Sequence, residues 1–198
     1  MKSALLLSGG QDSIAIAQWL RPALAITVDY GQLPAEAEIR AAQQACKALS
    51  IQHIVVEANC SRIGSGDLSD APALAAAPSS EWWPYRNQLV ITLASAAALV
   101  HGAQELLIGA VSTDSNHIDG RQEFFDAMDL VLSMQEGGLR VRAPAIKMTS
   151  AQLIRLSEIS LEILCWAHSC HRSNFACGQC RGCIKHKNVM YQLGHMSF

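Results

Sequence analysis

Short uninterrupted apolar runs alternate along the chain with longer segments whose apolar positions follow a helical period. Ala4-Leu5-Leu6-Leu7 runs into Ser8 and the pair Gly9-Gly10, the pattern of a strand buried on both faces. Asp12 and Ser13 can cap a helix that passes through Ile14, Ile16 and Leu20 and is stopped by Arg21-Pro22. Residues 23–29 read as a second strand. Pro34 can open a helix over 35–49, with Glu36, Glu38, Arg40 and Lys47 marking its wet side, and 51–57 reads as a third strand. Further on, 87–101 reads as a helix, 105–111 as a strand and 123–135 as a helix. This alternation predicts an α/β fold: a doubly wound parallel sheet with helices on both faces.

Residues 60–84 break the rhythm. They hold Gly64, Gly66, Pro72, an alanine-rich patch, Pro78 and Trp82-Trp83-Pro84. A long irregular stretch inside a compact domain predicts a mobile lid or a partner-facing loop. With 198 residues, half of them hydrophobic, the chain is long enough for one sizeable core and suits one domain better than two. The longest apolar stretch, Leu89 to Val100, is too short to span a membrane, and the first residues are too short for a signal-peptide core. A cytoplasmic protein is expected.

Lysine and arginine total 15 against 17 acids, so the overall balance argues against direct nucleic-acid binding. The charge is uneven, however. From Cys165 onward there is no acidic residue, only Arg172, Arg181, Lys185, Lys187 and four histidines. Such a tail suits RNA, or phosphates, or a plain solvated surface.

Ser8-Gly9-Gly10-Gln11-Asp12-Ser13 stands between the first strand and the first helix. A helix N-terminus offers unpaired amides and a positive dipole end, which suit an anion, and glycines let the backbone approach phosphate oxygens. Asp12 would repel phosphate unless a magnesium ion or a helix amide engages it. No Gly-Lys-Ser/Thr follows, so this is neither a P-loop nor a dinucleotide fingerprint. The alternative is an ordinary strand–turn–helix junction.

Four of the seven cysteines, Cys170, Cys177, Cys180 and Cys183, fall within fourteen residues. Reduced thiols clustered this way read as metal ligands before disulfides. Two successive Cys-x-x-Cys steps plus one upstream cysteine suit a closed tetrahedral zinc site. Three of these cysteines with His168 or His171, or an iron–sulfur cluster, are the competing readings.

The motif Ser-Gly-Gly-x-Asp-Ser resembles the pyrophosphate (PP-loop) motif of the ATP pyrophosphatase superfamily. Together with the cysteine-rich finish it resembles 7-cyano-7-deazaguanine synthase. Asp29-Tyr30-Gly31-Gln32 matches that family's Asp-Tyr-Gly-Gln, and Pro84-Tyr85-Arg86-Asn87 is similar to its Pro-Gly-Arg-Asn. Gly109, Asp114, Asp119, Arg121, Glu123 and Phe124 resemble a further segment. The resemblance covers nearly the whole chain. It departs at His117-Ile118, which replace Tyr-Pro, at Leu33-Pro34, which replace Arg-His, and at Ser150, where a lysine is expected and Lys147 is the nearest stand-in.

The resemblance implies an adenine nucleotide alpha hydrolase-like core over 1–160 and a helical zinc-binding segment over 161–198 packed on it. It implies an ATP-dependent carbon–nitrogen ligase of queuosine biosynthesis, acting as a homodimer with ATP, magnesium and zinc. Leu7, Ser8, Gly9, Gly10, Gln11, Asp12 and Ser13, with Asp29, Tyr30 and Gln32, would hold the nucleotide. Asp12, Ser13, Arg86, Asp114 and Asp119 would carry the chemistry. Cys170, Cys177, Cys180 and Cys183 would hold the metal. The substrate would be 7-carboxy-7-deazaguanine or a similar small molecule, joined to ammonia or another amine. A diverged relative could stop at the amide or use a protein amine as acceptor. A zinc-containing nucleic-acid-binding module is a third reading. Asn87 can equally be a helix cap, and Trp82-Trp83 can stack on a base or form a dimer contact.

Overall fold

Five parallel strands form one sheet in the computed structural model, which describes residues 2–195. They are β1 (Ser3–Leu6), β2 (Leu24–Asp29), β3 (Gln52–Glu57), β4 (Glu105–Ile108) and β5 (Arg140–Arg142), in the order β3-β2-β1-β4-β5. Leu5 stands opposite Ala25 on one side and Leu107 on the other. The order reverses at β1, so the chain leaves the carboxyl ends of β1 and β4 in opposite directions and opens a crevice there.

Alternate strand residues feed two separate cores, as a two-residue side-chain period requires. Leu5, Leu7 and Leu107 face one core. It is closed by α1 (Gln11–Leu20), α2 (Ala35–Leu49), α5 (Ser150–Ser157), α6 (Leu161–Leu164) and α7 (Arg181–Gln192). Ala4, Leu24, Ile26, Leu106 and Ile108 face the other, closed by α3 (Arg86–Val100) and α4 (Gln122–Ser133). Leu164 of α6 and Val189 and Met190 of α7 belong to the first core, so the cysteine-rich segment is packed against the sheet's helical layer.

The elements read from hydrophobic spacing are present, with shifted ends. The first strand stops at Leu6, although the Leu7 amide still donates to Ile26 O at 2.8 Å. The first helix begins at Gln11 with Gly10 as its cap, so Asp12 and Ser13 lie inside the first turn and neither caps it. The fourth strand ends at Ile108 rather than residue 111. There Gly109 lets the chain pass over α1, since a Cβ at that position would lie 3.1 Å from the Ser13 Cα.

β5 was not readable from pattern. It is three residues, Arg-Val-Arg, with one buried side chain, and only pairing with β4 makes it a strand. α5 carries a legible start, because Thr149 and Gln152 form a reciprocal capping box.

The 60–84 stretch is packed against the body of the protein. Leu68 and Trp83 are buried in the second core, and the Leu33 amide donates to Leu68 O at 2.9 Å. Trp83 meets Tyr30 edge-to-face with ring centroids 5.0 Å apart. The tryptophan pair therefore does not present two exposed indoles to a partner or a base, because half of it is core. Among the described residues no helix is long and apolar enough to cross a membrane.

Candidate active site

The crevice at the carboxyl ends of β1 and β4 is a cavity of about 640 Å³. Its floor is the loop Ser8–Ser13. Gly9 adopts φ +74° and its missing side chain allows the loop to rest on the Glu38 carbonyl of α2. Ser13 Oγ donates to Gly10 O at 3.0 Å and lies 3.2 Å from Ser8 Oγ. The loop thus holds a helix N-terminus and two hydroxyls toward the cavity, the arrangement that suits an anion.

Of the residues expected at the site, Ser8, Gly10, Gln11, Asp12, Ser13, Tyr30, Arg86, Asp114 and Asp119 line this cavity. Leu7, Gly9, Asp29 and Gln32 do not. Leu7 is buried in the first core. Gly9 is turned onto α2. Asp29 Oδ1 accepts the Gly31 amide at 3.0 Å, which braces the turn after β2. Gln32 is buried: its carbonyl accepts the Tyr30 amide at 2.9 Å and its amide donates to Glu38 Oε2 at 2.8 Å. It shapes the wall from behind.

Asn87 is not a helix cap. Its side-chain amide donates to Asp119 O at 3.0 Å and so positions the segment that carries Asp119 into the cavity. Tyr85 precedes α3 at φ +55°, in the left-handed region. That is why the resembled motif has glycine there; this chain holds an exposed tyrosine in a glycine's conformation.

Several cavity residues were not legible in the sequence. Glu38, placed by pattern on the wet side of its helix, instead lines the cavity. Burial raises its carboxyl to about 7, against a partly offsetting hydrogen bond from Gln32 and the charge of Arg86. Burial likewise pushes the neighbouring Tyr30 hydroxyl above the usual tyrosine range. Glu81, from the irregular stretch, pairs with Arg181 and lies 3.1 Å from His117 Nε2. Burial acts against ionising Glu81, but these hydrogen bonds and the Arg181 charge prevail and hold the carboxyl at about 2. His117, which stands where the resemblance expects Tyr-Pro, is thereby tied into the cavity wall.

Lys185 is the largest surprise. Its Nζ lies 2.9 Å from Asp12 Oδ2 and 2.7 Å from Asp114 Oδ1. Burial alone would lower the ammonium's pKa, but the two carboxylates outweigh it and hold it above the usual lysine value. Burial raises the Asp12 carboxyl despite that contact. Ser150, where a lysine is expected, lies beside the same Asp12, whereas Lys147 is exposed and outside the cavity lining. The cation arrives from α7 instead of α5.

The cysteine segment is what delivers Lys185. The Sγ atoms of Cys170, Cys177, Cys180 and Cys183 all lie within 4.8 Å of one another. A tetrahedral zinc with sulfurs at about 2.3 Å requires sulfurs roughly 3.8 Å apart, and the Cys177–Cys183 and Cys170–Cys180 pairs are at 3.9 and 4.0 Å. Amides of Cys180, Cys183 and His171 donate to sulfur at 3.3–3.4 Å, which favours thiolates. The set fits one zinc ion and leaves no room for an iron–sulfur cluster. His168 is not needed, since its ring lies 3.0 Å from Ser173 O. The segment is stitched to the loop by His168 N donating to Gly9 O at 2.9 Å, and to α2 by the Ala37 amide donating to Asn174 Oδ1 at 3.0 Å. Three of its basic residues are engaged internally: Arg172 with Asp67, Arg181 with Glu81, and Lys185 as above.

The model of the family described as queuosine biosynthesis protein QueC matches residues 2–194. The chain belongs to this family. Among its curated relatives, the 7-cyano-7-deazaguanine synthase of Methanocaldococcus jannaschii is 26% identical, covering 98% of this chain and 96% of that protein. The synthase of Chlorobium luteolum is 33% identical, over 93% of this chain and 89% of its own length. That of Stutzerimonas stutzeri is 31% identical, over 92% and 90%. Near-complete coverage in both directions places the loop, the cavity and the cysteine cluster of this family member inside the shared region.

Proposed function

We propose that this family member adenylates the carboxylate of 7-carboxy-7-deazaguanine with ATP and joins it to ammonia, ending at the nitrile. The observation that carries this reading is a single cavity that unites an anion-binding loop, Ser8–Ser13, with carboxylates and a guanidinium on its other walls. Ser8, Gly10 and Ser13 receive the pyrophosphate part of ATP. Asp12 and Asp114 are the carboxylates that would hold magnesium, which screens phosphate charge when bound. Both carboxylates line the cavity beside the loop.

In the first step the substrate carboxylate oxygen bonds to the α-phosphorus and pyrophosphate departs. Ammonia then bonds to the acyl carbon, loses a proton, and AMP leaves with its electron pair, giving the amide. The amide oxygen then bonds to the α-phosphorus of a second ATP as pyrophosphate departs, and loss of AMP with its electron pair and of the nitrogen's protons leaves the nitrile. Catalysis of this kind is positioning and electrostatics more than side-chain nucleophilic chemistry. Arg86 can brace the carboxylate bidentately, and Asp119 can accept paired N–H groups of a guanine-like edge. Zinc at the four cysteines is structural: a closed site that fixes the segment carrying Arg181 and Lys185.

A second reading keeps the adenylation and changes the acceptor to a protein amine, or stops at the amide. The engagement of His117 with Glu81 and Arg181 favours it, because that wall differs from the resembled family. Incubation with ATP and 7-carboxy-7-deazaguanine, followed by mass spectrometry, separates the two: nitrile supports the first, amide or a mass-shifted protein the second. Asp12→Ala should abolish AMP formation while leaving zinc content unchanged. AMP release at the parent rate by that variant would show the loop assignment to be wrong.

A further inference from the structure

We propose that Lys185 is a phosphate-binding residue of this cavity, a cation that the zinc-folded segment delivers to the loop. The inference rests on the reading that the cavity takes ATP, and extends it to a residue outside the loop.

A triphosphate entering this cavity meets two carboxylates, Asp12 and Asp114, beside the amides that would hold it. Like charges at such range repel strongly where water is excluded, and Lys185 is the cation that the chain itself places between these two carboxylates, in addition to any magnesium they would hold. Arg181 is engaged by Glu81, and Arg86 stands on the wall with Tyr30 and Glu38. Lys185 alone among the lining lysines and arginines touches the loop's own carboxylate.

An ammonium has three donors. Two are directed at Asp12 Oδ2 and Asp114 Oδ1, on either side of the crevice between β1 and β4. The third remains for an oxygen in the cavity. Beside it, Gln11 Oε1 is buried without a hydrogen-bond partner among the described residues. Unmatched buried polar atoms in a native site point to a missing ligand or its solvating ions. Lys185 follows Cys183 by two residues on α7, so the metal cluster fixes where the cation stands. The zinc site and the nucleotide site are then one device.

The test is calorimetric titration of magnesium pyrophosphate, and separately of adenosine, into zinc-loaded parent and Lys185→Met protein. Methionine keeps the apolar stem and removes the charge. A lost hydrogen bond to a charged group corresponds to roughly a ten- to hundredfold weaker pyrophosphate affinity, with adenosine affinity unchanged. Equal pyrophosphate affinity in the two proteins overturns the proposal. A parent that binds neither pyrophosphate nor adenosine overturns the nucleotide reading itself. Should the variant lose zinc or fail to fold, amine acetylation of the parent followed by peptide mass spectrometry decides. Magnesium pyrophosphate should protect Lys185 from acetylation, and unchanged or increased labelling refutes the contact.

Discussion

Replacing Glu38 by glutamine tests whether the cavity wall is as dry as its packing implies. Burial raises the Glu38 carboxyl from 4.5 to about 7, while Gln32 and Arg86 pull in the opposite direction and Asp29 adds to the rise. A carboxyl whose folded value is raised weakens the fold as it ionises. The penalty is absent at acid pH, grows as pH climbs from 4.5 to about 7, and is constant above that. Displacement from 4.5 to about 7 corresponds to a penalty of about 3 kcal/mol once the group is fully charged. The residue is only half-buried, so this is a ceiling. Glutamine keeps the shape and can still accept the Gln32 amide at Oε1, yet carries no charge. Glu38→Gln should therefore stabilise the protein by up to about 3 kcal/mol near pH 8 and by less than about 1 kcal/mol near pH 5. For a chain of this length about 3 kcal/mol moves the melting temperature by about 6–12 °C. Urea unfolding of parent and variant at both pH values, with zinc in every buffer, measures the difference. A variant no more stable than the parent near pH 8, or a gain independent of pH, refutes the buried-carboxyl reasoning.

Purified parent should contain about one zinc per chain by elemental analysis; Cys177→Ser should remove it and leave protease-sensitive or insoluble protein, since zinc binding contributes about 10–16 kcal/mol in small zinc domains. Trp83→Ala should cost about 3–5 kcal/mol by urea unfolding, because the indole is fully buried against Tyr30. Tyr85→Gly should stabilise by about 1 kcal/mol, since glycine relieves a left-handed conformation that costs other residues about 1–2 kcal/mol and the exposed ring gives up little burial. A destabilised Tyr85→Gly protein would mean that the ring holds the cavity mouth.

The sequence determined the sheet, the loop and the metal cluster, because each is written locally. Apolar runs of four to seven residues next to helical periods can hardly fold otherwise than as a parallel sheet with helices on both faces. Ser8–Ser13 is contiguous, and its chemistry follows from standing between a strand and a helix. Four cysteines within fourteen residues bring their sulfurs together with little help from the rest of the chain. What only the tertiary structure decided are the pairings across long separations. Lys185 meets Asp12 across 173 positions, and Arg181 meets Glu81 across 100. No period or spacing encodes such contacts. They exist because the four-cysteine segment folds back over the crevice. Glu38 shows the same limit within a helix: its place among the polar positions was legible, but Glu38 alone of them lines the cavity while Glu36, Arg40 and Lys47 stay exposed, and only the tertiary packing made that difference.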